Sequence, residues 1–184
     1  MLGRPARVVV VGMTGVGKST LAERLAARLD AAFVELDALF WDPDWTAAAP
    51  EVFRGRVAAA TAGAAWVVAG NYSAVRDLVW PRATAIVWLD YRLSLALRRL
   101  TARTVRRAVT REVLWNGNVE YLWQHGKVWS DDSLFHWLFR TYWRYRSEFP
   151  ALFAEPAHAH LQVIRLRSPR ETEAWLGGVD PSRG

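Results

Sequence analysis

An apolar run that ends in glycine, Arg7-Val-Val-Val-Val-Gly12, leads directly into Gly12-Met-Thr-Gly15-Val-Gly17-Lys18-Ser19, after which Leu21, Leu25 and Leu29 recur at helical spacing. No other feature constrains the fold as tightly. A strand without polar alternation must be covered on both faces, which is the situation of an inner strand in a parallel sheet. A glycine-rich turn between such a strand and an amphipathic helix lets backbone N–H groups converge, and the helix adds the positive end of its dipole. The pattern G-x-x-x-x-G-K-[ST] stands here in that context, so Gly12, Met13, Thr14, Gly15, Val16, Gly17, Lys18, Ser19 and Thr20 are expected to bind a nucleoside triphosphate. Lys18 would reach the β- and γ-phosphates, and the Ser19 hydroxyl would face Mg2+. The dinucleotide pattern G-x-G-x-x-G fails at its last glycine, where Thr20 stands.

The rest of the chain alternates short apolar runs with helical patterns. Strands are expected over Ala32–Asp37, Trp66–Ala69, Thr84–Asp90 and His160–Arg165, and helices over Glu51–Ala62, Leu93–Val109 and Arg170–Leu176. Pro50 suits the start of the first of these helices, and Asp42-Pro43-Asp44-Trp45 reads as a turn. This rhythm predicts an α/β fold with a parallel sheet, in one domain over residues 1–176 with a tail at 177–184. Residues 110–157 break the rhythm and read as a helical lid or insertion. Within it, Leu134, Trp137, Leu138 and Thr141 share one helix face, and His136, Arg140 and Arg144 another.

Composition excludes several classes. With 52% hydrophobic and 23% charged residues the chain can build a core, so disorder and coiled-coil architectures are ruled out. The absence of cysteine removes disulfide scaffolds, thiolate metal sites and thiol nucleophiles, and fits a cytoplasmic protein. His158-x-His160 lacks a third ligand nearby, so no transition metal is expected. The 19 uncharged residues between Arg56 and Arg76 are rich in Ala and Gly, and read as a helix end plus a buried strand rather than a membrane span. Lys+Arg total 24 against 18 Asp+Glu, and only Lys18 and Lys127 are lysines. Arginine grips phosphate with a planar fork, so the partners are expected to be anionic, with a nucleotide and a nucleic acid both fitting.

Arg92, Arg99, Arg103 and Arg106 fall in one stripe of the long helix, with Leu93, Leu97, Leu100 and Ala108 in another. The basic stripe reads either as a phosphate-facing surface or as a solvated one. Gly70, Asn71 and Tyr72 close the third strand at the carboxyl edge, where parallel sheets bind ligands. They are read as acceptor contacts, with Arg76 as a nearby anion anchor and Arg54 as a further candidate. Asp37 reads as an acid that orients Mg2+-bound water or serves as base to an acceptor hydroxyl, or else as a cap or turn residue. Trp41 and Trp45 read as core, with stacking on an acceptor as the alternative. Asp90 reads as a turn acid.

Together the Gly12–Ser19 loop, Asp37, the paired Trp41 and Trp45 around Asp42-Pro43-Asp44, Gly70-Asn71-Tyr72-Ser73, and Arg99 with Arg103 resemble the nucleoside-monophosphate-kinase-like branch of P-loop NTPases. Most closely, they resemble adenylate-kinase-related proteins of the DNA topology modulation (FlaR) type. The resemblance implies a five-stranded parallel sheet in the order 2-3-1-4-5, flanked by helices, with a mobile lid between strands four and five. It implies a kinase that uses ATP and Mg2+ to phosphorylate a small molecule, with Arg99 and Arg103 closing on the transferring phosphate. Relatives often carry an aspartate where Ala69 stands; shikimate-kinase-like members also lack it and rely on an acid after strand two, where Asp37 stands. By the same analogy Ser168-Pro169 occupies the adenine-side loop. The family's topology-related name suggests an alternative, a nucleotide-binding regulator that touches nucleic acid through the arginine-rich helix. Acceptor identity and the choice between ATP and GTP stay open.

Overall fold

The computed structural model describes residues 2, 5–110, 113–118 and 134–179. Five strands form one parallel sheet: β1 (Arg7–Gly12), β2 (Ala32–Glu35), β5 (Trp66–Ala69), β6 (Ala85–Leu89) and β7 (Gln162–Leu166). Their spatial order is β2-β5-β1-β6-β7. Two-residue strands β3 (Trp41–Asp42) and β4 (Thr46–Ala47) make a separate antiparallel hairpin. With that hairpin set aside, the order of the parallel strands is the expected 2-3-1-4-5.

The unalternating strands take the centre. β1 pairs with β5 on one side and β6 on the other, so that Val10 lies between Ala69 and Val87. Every residue of β5 and β6 is buried, whereas β2 and β7 are edges with exposed residues. Helix α1 (Lys18–Leu29) turns Leu21, Ala22, Leu25 and Ala26 inward. Helix α3 (Pro50–Ala60) starts on Pro50, which lacks the N–H that the first turn cannot pair, and buries Phe53 and Val57 one turn apart; the one-turn helix α4 (Arg76–Val79) follows β5. Helix α6 (Leu134–Phe153) stacks Tyr145 on Phe149 at 4.9 Å and Phe149 on Phe153 at 5.6 Å, a ladder at i, i+4, i+8 that meets the Trp88 ring of β6. Residues 119–133 of the expected insertion, and the side chains of 134–138 on which its two helix faces rest, lie outside the described residues.

The boundaries of both edge strands move. The second strand stops at Glu35, and Asp37 sits in the first turn of a short helix, α2 (Leu36–Phe40). The cause lies on the neighbouring strand: Ala69 is the register partner of Glu35, and the next residue, Gly70, leaves the ladder with φ 141°. Residue 36 therefore has no strand to pair with, and Leu36 folds inward instead, 3% exposed. The Asp42–Trp45 turn is the bend of the hairpin, with Asp44 and Trp45 both at positive φ. The last strand begins at Gln162 rather than His160. Among the described residues, no helix is long and apolar enough to cross a membrane.

A buried carboxylate ties the far edge of the sheet together. The Asp90 side chain, just past β6, accepts from Arg146 Nε of α6 at 2.7 Å and from Arg165 Nε and Nη2 of β7 at 2.9 and 2.5 Å. Removing the charge leaves two arginines around a neutral group, which costs far more than the pair contributes. Asp90→Asn is expected to lower unfolding free energy by about 3 kcal/mol in urea titrations.

Candidate functional site

The carboxyl ends of the parallel strands meet at Gly12, Glu35, Gly70 and Asp90. At the centre, the loop from Gly12 to Ser19 is shaped by three glycines. Gly12, Gly15 and Gly17 have φ of 149°, 80° and 99°, which L side chains rarely adopt. At two of them there is no room either: a Cβ would lie 2.7 Å from the Leu89 carbonyl oxygen at Gly12 and 2.9 Å from that of Ala96 at Gly15. Met13 and Val16 anchor the loop in the core, at 4% and 1% exposure, while Ser19 and Thr20 are exposed at the start of α1. Lys18 Nζ donates to the Met13 carbonyl at 3.0 Å across the loop. The loop, its lysine and the serine hydroxyl fit a nucleoside triphosphate with Mg2+, since the backbone can approach phosphate oxygens as closely as the missing Cβ atoms allow.

Two acids face this loop. Glu35, the last residue of β2, hydrogen-bonds Ser19; its burial outweighs that bond and pushes its carboxyl up to about 7. Asp37, two residues on, accepts from the Tyr72 hydroxyl at 2.6 Å. Burial, and then the Asp37 carboxylate, push the Tyr72 phenol far above its ordinary range, so it remains a donor. Burial pulls the Lys18 ammonium down, Asp37 and Glu35 hold it up, and Arg103 pushes it down again. Lys18, Glu35, Asp37 and Arg103 thus share one electrostatic site.

Helix α5 (Leu93–Thr110) turns Arg99, Arg103 and Arg107 partly inward at i, i+4, i+8, while Arg92 and Arg106 are exposed. This corrects the expected stripe at both ends: Arg92 drops out, and the phase of the buried face, Ala96, Leu100 and Thr104, selects Arg107 over Arg106. Arg107 lines a cleft with Ser19, Thr20, Glu35 and Trp115. Arg99 donates to the Val16 carbonyl at 2.8 Å, and its guanidinium lies over the Tyr91 ring. It props the loop from outside.

The residues read as acceptor contacts divide into three groups. Gly70, Asn71, Tyr72 and Arg76 surround one small cavity with Leu36, and the Arg76 guanidinium lies 4.9 Å over the Trp80 ring. Asn71 spends its amide on the phosphate loop, accepting from Gly12 N at 3.1 Å and donating to Gly12 O at 2.5 Å. Arg54 is engaged elsewhere, in a bidentate pair with Asp77 at 2.9 and 2.8 Å. Trp41 and Trp45 are half-buried and meet edge to face at 5.7 Å. Ser168 is the N-cap of α7 (Pro169–Gly177), accepting from Glu171 N.

Glu35 and Arg107 were not singled out from the sequence. The signal for Glu35 was present, as two acids one residue apart at the end of an apolar run. What the sequence does not display is the register that sets Glu35 beside the uncharged Ala69.

A parallel sheet in this order, with a G-x-x-x-x-G-K-S loop leaving its central strand and capping a helix, defines a P-loop NTPase. The profile of the ATPase family associated with various cellular activities (AAA) matches residues 8–106, and the chain belongs to that family. No curated protein sequence matches the chain. Among solved structures, a gluconokinase from Sinorhizobium meliloti 1021 is similar with a TM-score of 0.51 and 21% identity, covering 94% of this chain and 92% of that one. A shikimate kinase from Bacteroides thetaiotaomicron gives 0.52 and 17%, covering 94% of each chain. The Acinetobacter baumannii shikimate kinase in complex with shikimate gives 0.52 and 18%, covering 92% and 88%. These likenesses establish the fold.

The raised Glu35 carboxyl has a signed consequence. Its folded pKa near 7 lies above the ordinary 4.5, so the folded state holds the proton more tightly than the unfolded one. Its contribution to stability is full below pH ~4.5 and is lost as pH rises through ~7. Urea unfolding between pH 4.5 and 8 is expected to show a decline that Glu35→Gln lacks.

Proposed function

We propose that this protein is an ATP-dependent phosphotransferase that passes the γ-phosphoryl group to a small-molecule acceptor with the help of Mg2+. The observation that carries the reading is the placement of two separate carboxylates around Lys18, Glu35 on Ser19 and Asp37 on Tyr72. A loop that only bound nucleotide would need no second acid backed by a phenol that stays protonated. The resemblance to adenylate-kinase-related proteins of the FlaR type, and fold neighbours named gluconokinase and shikimate kinase, support the same reading.

In this reading the loop amides and Lys18 hold the phosphates, while Ser19 and Glu35 would hold Mg2+, directly or through water. Mg2+ takes few protein ligands and completes its shell with phosphate oxygens and waters, which suits one hydroxyl and one carboxylate. When bound, the metal supplies charge neutralisation across the β- and γ-phosphates. Arg103 and Arg107 face the same region and would offset negative charge on the group in transfer. Asp37 accepts the proton of an acceptor hydroxyl, or orients it, with Tyr72 fixing the carboxylate. Gly70, Tyr72 and Arg76 would line the acceptor side. Asn71 and Arg99 act through the loop, as positioning residues.

The nucleic-acid regulator is the second reading. Its support is the basic surface left by Arg92, Arg98 and Arg106, all exposed. Three other arginines of the same helix turn toward the phosphate loop, which favours phosphoryl transfer.

ADP release from Mg-ATP, followed across a metabolite and nucleotide panel, is expected to rise sharply with one acceptor. Lys18→Ala should abolish the rise, and Asp37→Asn should leave ATP affinity within about twofold while cutting turnover about 100-fold. Uniformly slow hydrolysis across the panel overturns the reading. Retention on duplex DNA that weakens steeply with salt would favour the regulator instead.

A further inference from the structure

The hairpin after Asp37 is an unusual piece of chain. Its bend puts Asp44 and a bulky Trp45 at φ of 59° and 53°, and such residues persist there only where their surroundings hold them. Two clamps do so. From α3, Arg56 Nη1 donates to the Asp42 carboxylate at 2.8 Å and to the Leu39 carbonyl at 3.0 Å.

From beyond α5 comes Asn118, 3% exposed. Its Oδ1 accepts from Trp45 N at 2.8 Å, and its Nδ2 donates to the carbonyls of Asp42 and Trp115, both at 2.9 Å. Its own backbone closes a turn, with Asn118 N donating to Trp115 O and Leu114 N to Asn118 O. Asn116 adds a donor to the Trp41 carbonyl at 2.5 Å. The other side of the same turn belongs to the phosphate cleft: Val113, Leu114 and Trp115 line it together with Ser19, Thr20, Glu35 and Arg107.

One short segment therefore forms a wall of the nucleotide cleft and holds the backbone of the hairpin that follows the helix carrying Asp37. We propose that Asn118 is a positioning residue that couples nucleotide occupancy of the cleft to the hairpin, and through it to Asp37 on the acceptor side. The coupling rests on the phosphotransferase reading above. An amide is suited to this place because its one acceptor and one of its donors meet an N–H and a carbonyl of the hairpin, while the other donor meets the Trp115 carbonyl of its own turn. A buried side chain so fully paired leaves the hairpin no low-cost way to shift without carrying residues 113–118 with it.

The test is amide hydrogen exchange on the full chain with and without Mg-ATP, alongside calorimetry of Mg-ATP binding. In the unaltered protein, Mg-ATP should slow exchange over residues 41–47. In Asn118→Ala, exchange at Trp45 should rise about tenfold and its response to Mg-ATP should vanish, while Mg-ATP affinity stays within about twofold. Once the acceptor is known, its KM should rise with little change in the KM for ATP. If exchange in Asn118→Ala also rises throughout β1 and β6, the milder Asn116→Ala decides. A rise confined to 41–47 in that variant supports the coupling, and no rise overturns it. Nucleotide binding that leaves 41–47 unaffected in the unaltered protein sinks the coupling alone. Failure of the unaltered protein to bind Mg-ATP at all sinks the phosphotransferase reading as well.

Discussion

Gly12 is gripped at both of its backbone polar groups by a single side chain. Asn71, arriving from the end of β5, accepts from its N–H and donates to its carbonyl. On its other side the Leu89 carbonyl of β6 stands where a Cβ would have to go. Three adjacent strands thus converge on one residue without a side chain. The direction in which the chain leaves β1 follows, and with it the placement of Lys18 and of the start of α1. Because backbone groups buried at such a junction must be paired, the asparagine is part of the loop's architecture although it lies 59 residues away.

How much of this could be read from the chain itself depends on how local each cause is. The strand, loop and first helix were legible because glycine positions and leucine spacing act within a few residues. Trp66–Ala69 was legible because a fully apolar run has few other uses. The end of β2 was not, since it is decided by Gly70 leaving the ladder on a different strand. The choice of Arg107 over Arg106 turns on the phase of α5, which Ala96, Leu100 and Thr104 set by packing. Asn71 was recognised as belonging to the site, yet its partner could not be inferred from a motif. Asn118 left no trace at all, because the groups it bonds at Trp45 and Asp42 lie 73 and 76 residues away.

The two acids of the site are held by different parts of the fold. The third parallel strand ends on the uncharged Ala69, and its register partner on β2 is Glu35. An acid at this end of β2 stands beside the Ser19 hydroxyl. Asp37 keeps a separate partnership with Tyr72, so that the two carboxylates acting on Lys18 are held by different partners.

The desolvated ammonium at the centre has a chemical corollary. Lys18 is one of two lysines in a chain with 24 basic residues, and burial has already weakened its hold on its proton. Amines become acylating targets as they lose that proton, and guanidinium groups do not compete. The protein thereby carries two side-chain primary amines, and one of them stands at the heart of its phosphate loop. An electrophile carried there on a nucleotide scaffold would meet that nitrogen and little else.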